Sequence, residues 1–232
     1  MNELILSLTQ RTAQILTTKQ KELAKIVWVS GESNLEEGYA NLAGKCCLEA
    51  WSDIQKEIPE YANTTLIATL PDITLVFNHK GDEIHGKIEL KSGLSEEIPG
   101  STIGKLDINQ PTIFCLRPKK GSSEYKFRYS QYYSSMILTE NDCFQDRSPR
   151  PKISFKKMVD CNTPIEYVNK EKGALFTLTH YAECAIRRLN NGIKSWQDTL
   201  TSLIIDYYLK TTPLAQIIER HKLLESAEPS SQ

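Results

Sequence analysis

The chain has 232 residues, a formal net charge of -1, 40% hydrophobic and 25% charged residues, a make-up that suits a globular protein with one sizeable core. The near balance of charge gives no global reason to expect a nucleic-acid partner, so such a partner has to be argued from local patches. The six cysteines (Cys46, Cys47, Cys115, Cys143, Cys161 and Cys184) form no CxxC pair, which speaks against a zinc ribbon, and they are sparse for a disulfide scaffold. With no signal peptide in view and no apolar run near the roughly 20 residues that span a bilayer, the expectation is a cytoplasmic protein without a membrane segment.

In chain order, the pattern predicts a first helix over 3–27, with apolar positions at Leu4, Leu8, Ile15, Leu16, Leu23 and Ile26. Gly31 to Asn34 breaks it. A second helix is expected over 35–58, where Glu36, Ala40, Ala43, Cys47, Ala50 and Ile54 fall on one face and Pro59 ends the run. Strands follow at 64–70 and 73–77, the second alternating Ile73, Leu75 and Phe77 against Asp72, Thr74 and Val76. A turn within 78–83 leads to a strand over 84–91. There Ile84, Ile88 and Leu90 share one face, and His85, Lys87, Glu89 and Lys91 the other. Ser101 or Thr102 can cap a short helix that includes Gln110, and 112–117 reads as another strand. Beyond Pro164 the chain reads as helical over 167–190, 193–210 and 213–224, and the polar tail 225–232 as disordered. The fold class expected is α/β: a mixed central sheet flanked by helices, with a helical C-terminal part, in one domain over 1–224.

The segment with chemical content is Pro71-Asp72, then sixteen residues, then Glu89-Leu90-Lys91. Two carboxylates on adjacent strands can hold Mg²⁺, a hard cation that prefers oxygen ligands. Glu89 and Lys91 are two apart and leave the strand on one face. A hairpin turn within 78–83 brings Asp72 toward them. The Lys91 ammonium is then placed to orient an attacking water or to neutralise charge that develops on a phosphate. The same residues also read as a turn followed by alternating, solvated Glu and Lys.

This motif resembles that of the PD-(D/E)XK nuclease superfamily, which includes most type II restriction endonucleases. The order helix, hairpin, helix, strand over about residues 30–120 is also similar. The resemblance implies a restriction-endonuclease-like sheet, with Asp72, Glu89 and the carbonyl of Leu90 as metal ligands, Lys91 as the catalytic lysine and Mg²⁺ as the cofactor. It also implies a further acid on the preceding helix, Glu36 or else Glu37. Against that stand two capping-box patterns, Ser33-x-x-Glu36 and Asn34-x-x-Glu37, in which either acid serves the helix start. Gln110, with Phe114 four residues on, is compatible with a Gln-aromatic pair that some members carry, and equally with a polar residue ahead of Pro111.

Residues 115–160 carry ten basic residues against five acids, with Tyr125, Tyr129, Tyr132 and Tyr133 interleaved. This makes the segment the candidate DNA contact, through Arg117, Lys119, Lys120, Arg147, Arg150 and Lys152. The run from Arg147 to Lys152 reads as an extended loop. His79, His85, His180 and His221 show no ligand spacing. Apolar stripes at Trp196, Leu200, Leu203, Ile204, Tyr207 and Tyr208, and at Leu214, Ile217, Ile218 and Leu224, suit either the protein's own core or a homodimer contact. The activity implied is Mg²⁺-dependent hydrolysis of double-stranded DNA by a type II restriction endonuclease. The alternatives are a repair, recombination or mobile-element nuclease of the same fold, or a DNA-binding protein without catalysis.

Overall fold

In the computed structural model, which describes residues 2–28, 37–70, 72–101, 109–137, 144–145, 148–149 and 152–168, the first helix α1 spans Asn2–Thr18 and is followed by a single turn, α2, at Gln20–Leu23. The sequence pattern runs on to residue 27, but the backbone leaves the helix at Lys19 (φ -90°, ψ 35°). Thr17 and Thr18 stand at the break, and further threonines precede them along the helix. Thr9, Thr12 and Thr17 donate side-chain hydrogen bonds to carbonyls four residues back, and Thr18 to one three back, contacts that compete with the helical ladder and bend it. Helix α3 spans Glu37–Glu57. Its expected inner face is buried, with Ala43, Cys47 and Ala50 fully enclosed and Ala40 and Ile54 nearly so.

The strands β1 (Thr65–Thr69), β2 (Ile73–His79), β3 (Asp82–Gly93), β5 (Pro111–Leu116), β6 (Lys126–Gln131) and β11 (Val159–Asp160) form one mixed sheet in the order β1-β2-β3-β5-β6-β11. All neighbours are antiparallel except β3 and β5, which run parallel. The β2–β3 turn is two residues, Lys80 and Gly81, both with positive φ (51° and 93°). That is the backbone of a type I′ turn, whose twist matches that of the strands it joins. The turn fixes the register: Ile73 pairs with Ile88 and His79 with Asp82.

One face of this sheet carries Ile73, Leu75, Phe77, Ile88, Ile113, Cys115, Phe127 and Tyr129. These pack against α1 and α3, which lie side by side on it. Helix α1 comes close to β3 because residue 86 is glycine: a Cβ there would sit 2.6 Å from the Ile5 side chain. The opposite face is partly covered by a three-stranded sheet in the order β4 (Glu97–Pro99), β10 (Lys152–Ser154), β7 (Met136–Ile137). The ring of Phe155, just after β10, meets Phe114 edge-on at 5.4 Å. A four-residue helix, α4 (Tyr132–Ser135), joins β6 to β7. The architecture is therefore α/β with a mixed central sheet and helices packed on it.

The chain divides into two compact units. The elements above belong to the first (1–100, 107–139 and 152–175), and 101–106, 140–151 and 176–232 to the second. In the second, Phe144–Gln145 (β8) and Ser148–Pro149 (β9) pair as an antiparallel hairpin, so Ser148 and Pro149 are paired strand residues rather than part of an extended loop. The expected C-terminal helices beyond Val168, the tail, both apolar stripes and residues 102–108 of the expected short helix lie outside the described residues. No helix among the described residues is long and apolar enough to cross a membrane.

Candidate active site

The β2–β3 register ends at Ile73↔Ile88. The next residue outward on β2 is Asp72 and on β3 is Glu89, so the hairpin sets these acids opposite each other on the face away from α1 and α3. Strand alternation puts Lys87 and Lys91 on that same face, one on either side of Glu89. The four side chains form one charged cluster. Lys87 Nζ lies 3.1 Å from Asp72 Oδ2 and 3.4 Å from Glu89 Oε2, and Lys91 Nζ lies 2.5 Å from Glu89 Oε1. The Leu90 backbone N–H donates to Asp72 Oδ1 at 3.2 Å. Gln110 adds a fifth side chain, donating through Nε2 to Glu89 Oε2 at 3.3 Å.

Burial is graded across the cluster. Glu89 is 6% exposed and Gln110 8%, while the side chains of Lys91, Asp72 and Lys87 are 20%, 32% and 43% exposed. A nearly buried carboxylate needs charge and hydrogen-bond partners, and Glu89 has Lys91, Lys87 and Gln110. Desolvation lowers the pKa of Lys87, but its hydrogen bond to Asp72 and the charges of Asp72 and Glu89 outweigh that and hold it above the ordinary lysine value. The site therefore opens to water on the Asp72–Lys87 side and is closed beneath Glu89.

The donor chemistry suits a hard divalent cation. Asp72 and Glu89 offer two carboxylates. In a strand, the N–H and C=O of one residue point to the same edge. Since the N–H of Leu90 points to Asp72 and β2 pairing has already ended at Ile88, the Leu90 carbonyl is directed to the same side. That makes an all-oxygen set of the kind Mg²⁺ prefers. No three His, Cys, Asp or Glu side chains converge among the described residues, so this set comprises two acids and a carbonyl. Glu36 lies outside the described residues, as does Pro71, and nothing is described of the Glu37 side chain.

One reading of the sequence is corrected here. Gln110 does not sit in a helix: it leads directly into β5, and its carbonyl accepts from the Tyr132 N–H at 2.9 Å. Pro111 accounts for this, because the residue before a proline is disfavoured in helical conformation. Three of the four tyrosines interleaved in the basic segment are turned inward. Tyr125, Tyr129 and Tyr132 are buried. The Tyr129 hydroxyl donates to the Thr163 carbonyl, and Tyr125 stacks on Trp28 and accepts from its indole N–H.

The candidate DNA contacts separate by environment. The Arg117 guanidinium lies over the Trp28 ring at 4.9 Å, and its backbone N–H bonds the Gly93 carbonyl, so this side chain is engaged in packing. Lys119 and Lys120 are exposed in the turn after β5. From Thr112, which neighbours Glu89, to the far end of β5 is about 13 Å of strand, so these two lie well away from the acids. Lys152 is half-buried in β10. Arg147 and Arg150 lie outside the described residues. Arg128, not singled out from sequence, is committed to structure: it donates to the carbonyls of Phe155, Lys156 and Met158 and lies over the Phe155 ring.

Other chemistries find less support. His79 bonds Thr64, and His85 pairs with Glu83 at the surface. Burial pushes the thiols of Cys46, Cys47 and Cys161 up to about 11, 12 and 12, so none of these three is a thiolate nucleophile at neutral pH. The residue that sequence reasoning passed over is Lys87. It shares the Glu89 face, and its spacing in Lys87-x-Glu89-x-Lys91 was the available signal. Comparison with protein families, characterised proteins and solved structures finds no match for this chain.

Proposed function

We propose that this chain is a Mg²⁺-dependent endonuclease that hydrolyses phosphodiester bonds of double-stranded DNA through an active site of the PD-(D/E)XK kind. The observation that supports it is the convergence of Asp72, Glu89 and Lys91 at the end of one hairpin, two acids and a lysine on one partly open face. Asp72, Glu89 and the Leu90 carbonyl would hold the cation, and Gln110 fixes the rotamer of Glu89 from below. The cation, when bound, supplies Lewis acidity toward a phosphate oxygen and lowers the pKa of water. Lys91 is the donor that can orient the attacking water or meet the negative charge that builds up at phosphorus. A restriction-endonuclease-like role is the preferred biology, and repair or recombination is the same chemistry in another setting.

Supercoiled plasmid is the direct assay. Nicked and linear products are expected with Mg²⁺ or Mn²⁺ and none with excess EDTA. A fixed set of fragments supports site-specific restriction, whereas a smear supports a less selective nuclease. Intact plasmid under all metal conditions leaves the charged cluster as a structural ion-pair network and removes the proposal. One such site among the described residues and two strands to cut lead to a two-fold dimer on duplex DNA. Sedimentation at micromolar concentration with and without a cleavable duplex checks this: a dimer is expected with DNA, and a monomer in both states points to sequential nicking.

A further inference from the structure

The cluster contains one cation for which the proposed reaction has no use. Lys87 Nζ touches one oxygen of each acid, Asp72 Oδ2 and Glu89 Oε2. The other two oxygens are engaged elsewhere, Asp72 Oδ1 by the Leu90 N–H and Glu89 Oε1 by Lys91. Glu89 Oε2 also accepts from the neutral Gln110 amide at 3.3 Å, so Lys87 is the charged group that stands between the two acids, where a cation shared by them would have to enter. Carboxylates facing each other across a hairpin repel unless a cation stands between them. Lys87 supplies that cation from within the chain. Its side chain is the most exposed of the four, and its long flexible stem allows the ammonium to move into water without moving the backbone.

We infer that Lys87 is a built-in counter-ion that occupies the position of the divalent cation between Asp72 and Glu89, so that metal binds only by displacing it; this rests on the metal-dependent reading above. The arrangement keeps the acids in register in the metal-free protein and weakens metal affinity by the interactions that have to be given up. A glutamine at 87 keeps most of the length and polarity and removes the competing charge.

Mn²⁺ binding to the full chain without DNA, followed by the electron paramagnetic resonance of the free ion, measures the competition. Lys87→Gln is expected to bind Mn²⁺ roughly tenfold more tightly than wild type, a factor that equals about 1.4 kcal/mol. Lys87→Arg, which keeps the charge, should stay near wild type, and Asp72→Ala should lose binding. The metal-induced rise in Tm should likewise be larger for Lys87→Gln than for wild type at one metal concentration. Binding seen only in Lys87→Gln, and lost when Asp72→Ala is added, also supports the inference. If Lys87→Gln binds no more tightly than wild type while binding still depends on Asp72, the role of Lys87 is overturned and the metal site stands. If neither protein binds Mn²⁺, or binding ignores Asp72→Ala, the metal site itself falls and the inference with it. Should Lys87→Gln not fold, Lys87→Met makes the same comparison.

Discussion

Asp72→Ala and Lys91→Ala should each lower Mg²⁺-dependent plasmid cleavage by about 10²–10⁴-fold, the range seen when a positioned acid–base group or charge-stabilising donor is removed. The two losses should differ in kind. On the proposed reading Asp72 offers oxygen to a cation, so its removal should abolish Mn²⁺ binding as well as cleavage. Among the described acids Lys91 pairs with Glu89, and Glu89 keeps Lys87 and Gln110 without it. Lys91→Ala should therefore retain metal and lose turnover. Neither change should unfold the protein. Asp72 is about one-third exposed, and a hydrogen bond such as that from the Leu90 N–H contributes a net stabilisation of only about 0.5–1.5 kcal/mol. Circular dichroism and thermal melts of both variants provide the control. Wild-type cleavage by Asp72→Ala would end the assignment.

The parts of this site that were legible in the sequence are those governed by a short period and a tight turn. Alternation along β3 separated Ile88 and Leu90 from Glu89 and Lys91, and the structure keeps that separation. The two-residue turn at Lys80–Gly81 then leaves only one register in which the apolar faces of β2 and β3 coincide, and it sets Asp72 opposite Glu89. What was not legible depends on partners distant in sequence. Phe127 and Tyr129 alternate with Lys126 and Arg128, a strand pattern in β6 that was read as a basic segment with interleaved aromatics, because nothing nearby says that β5 waits to pair with it. Strands β4, β7 and β10 have two or three residues each, too few for any periodicity. The break at Lys19 follows threonine side chains that bond the backbone behind them, while the apolar spacing continues unchanged into α2. Lys87 is visible on the Glu89 face, but its place between two acids appears only once Asp72 stands across from it.

Phe114→Ala should cost about 3–5 kcal/mol of unfolding free energy, the usual loss for a buried phenylalanine whose cavity cannot close. The ring is fully buried and lies on the site face of β5, with Lys91 as its register neighbour on β3 and Arg128 on β6. It is met edge-on by Phe155, whose planes cross at 86°. Phe155 is itself tied to the β4 segment by its N–H to the Glu96 carbonyl at 2.7 Å and carries the Arg128 guanidinium on its face. One ring thus joins the central sheet to the small sheet that covers part of the site face, and its loss removes packing on both sides at once. Urea titration should show the midpoint fall. Ile67→Ala, at a position on β1 that is 54% exposed, should change it by less than about 0.5 kcal/mol. Phe114→Leu, which keeps most of the volume, should lie between the two. A loss for Phe114→Ala no greater than that for Ile67→Ala would mean that the small sheet is not held to the central one through this ring. Because Lys91 stands beside it, Phe114→Ala should also lower cleavage under conditions where the variant is still folded, as the lysine loses the wall that limits its rotamers.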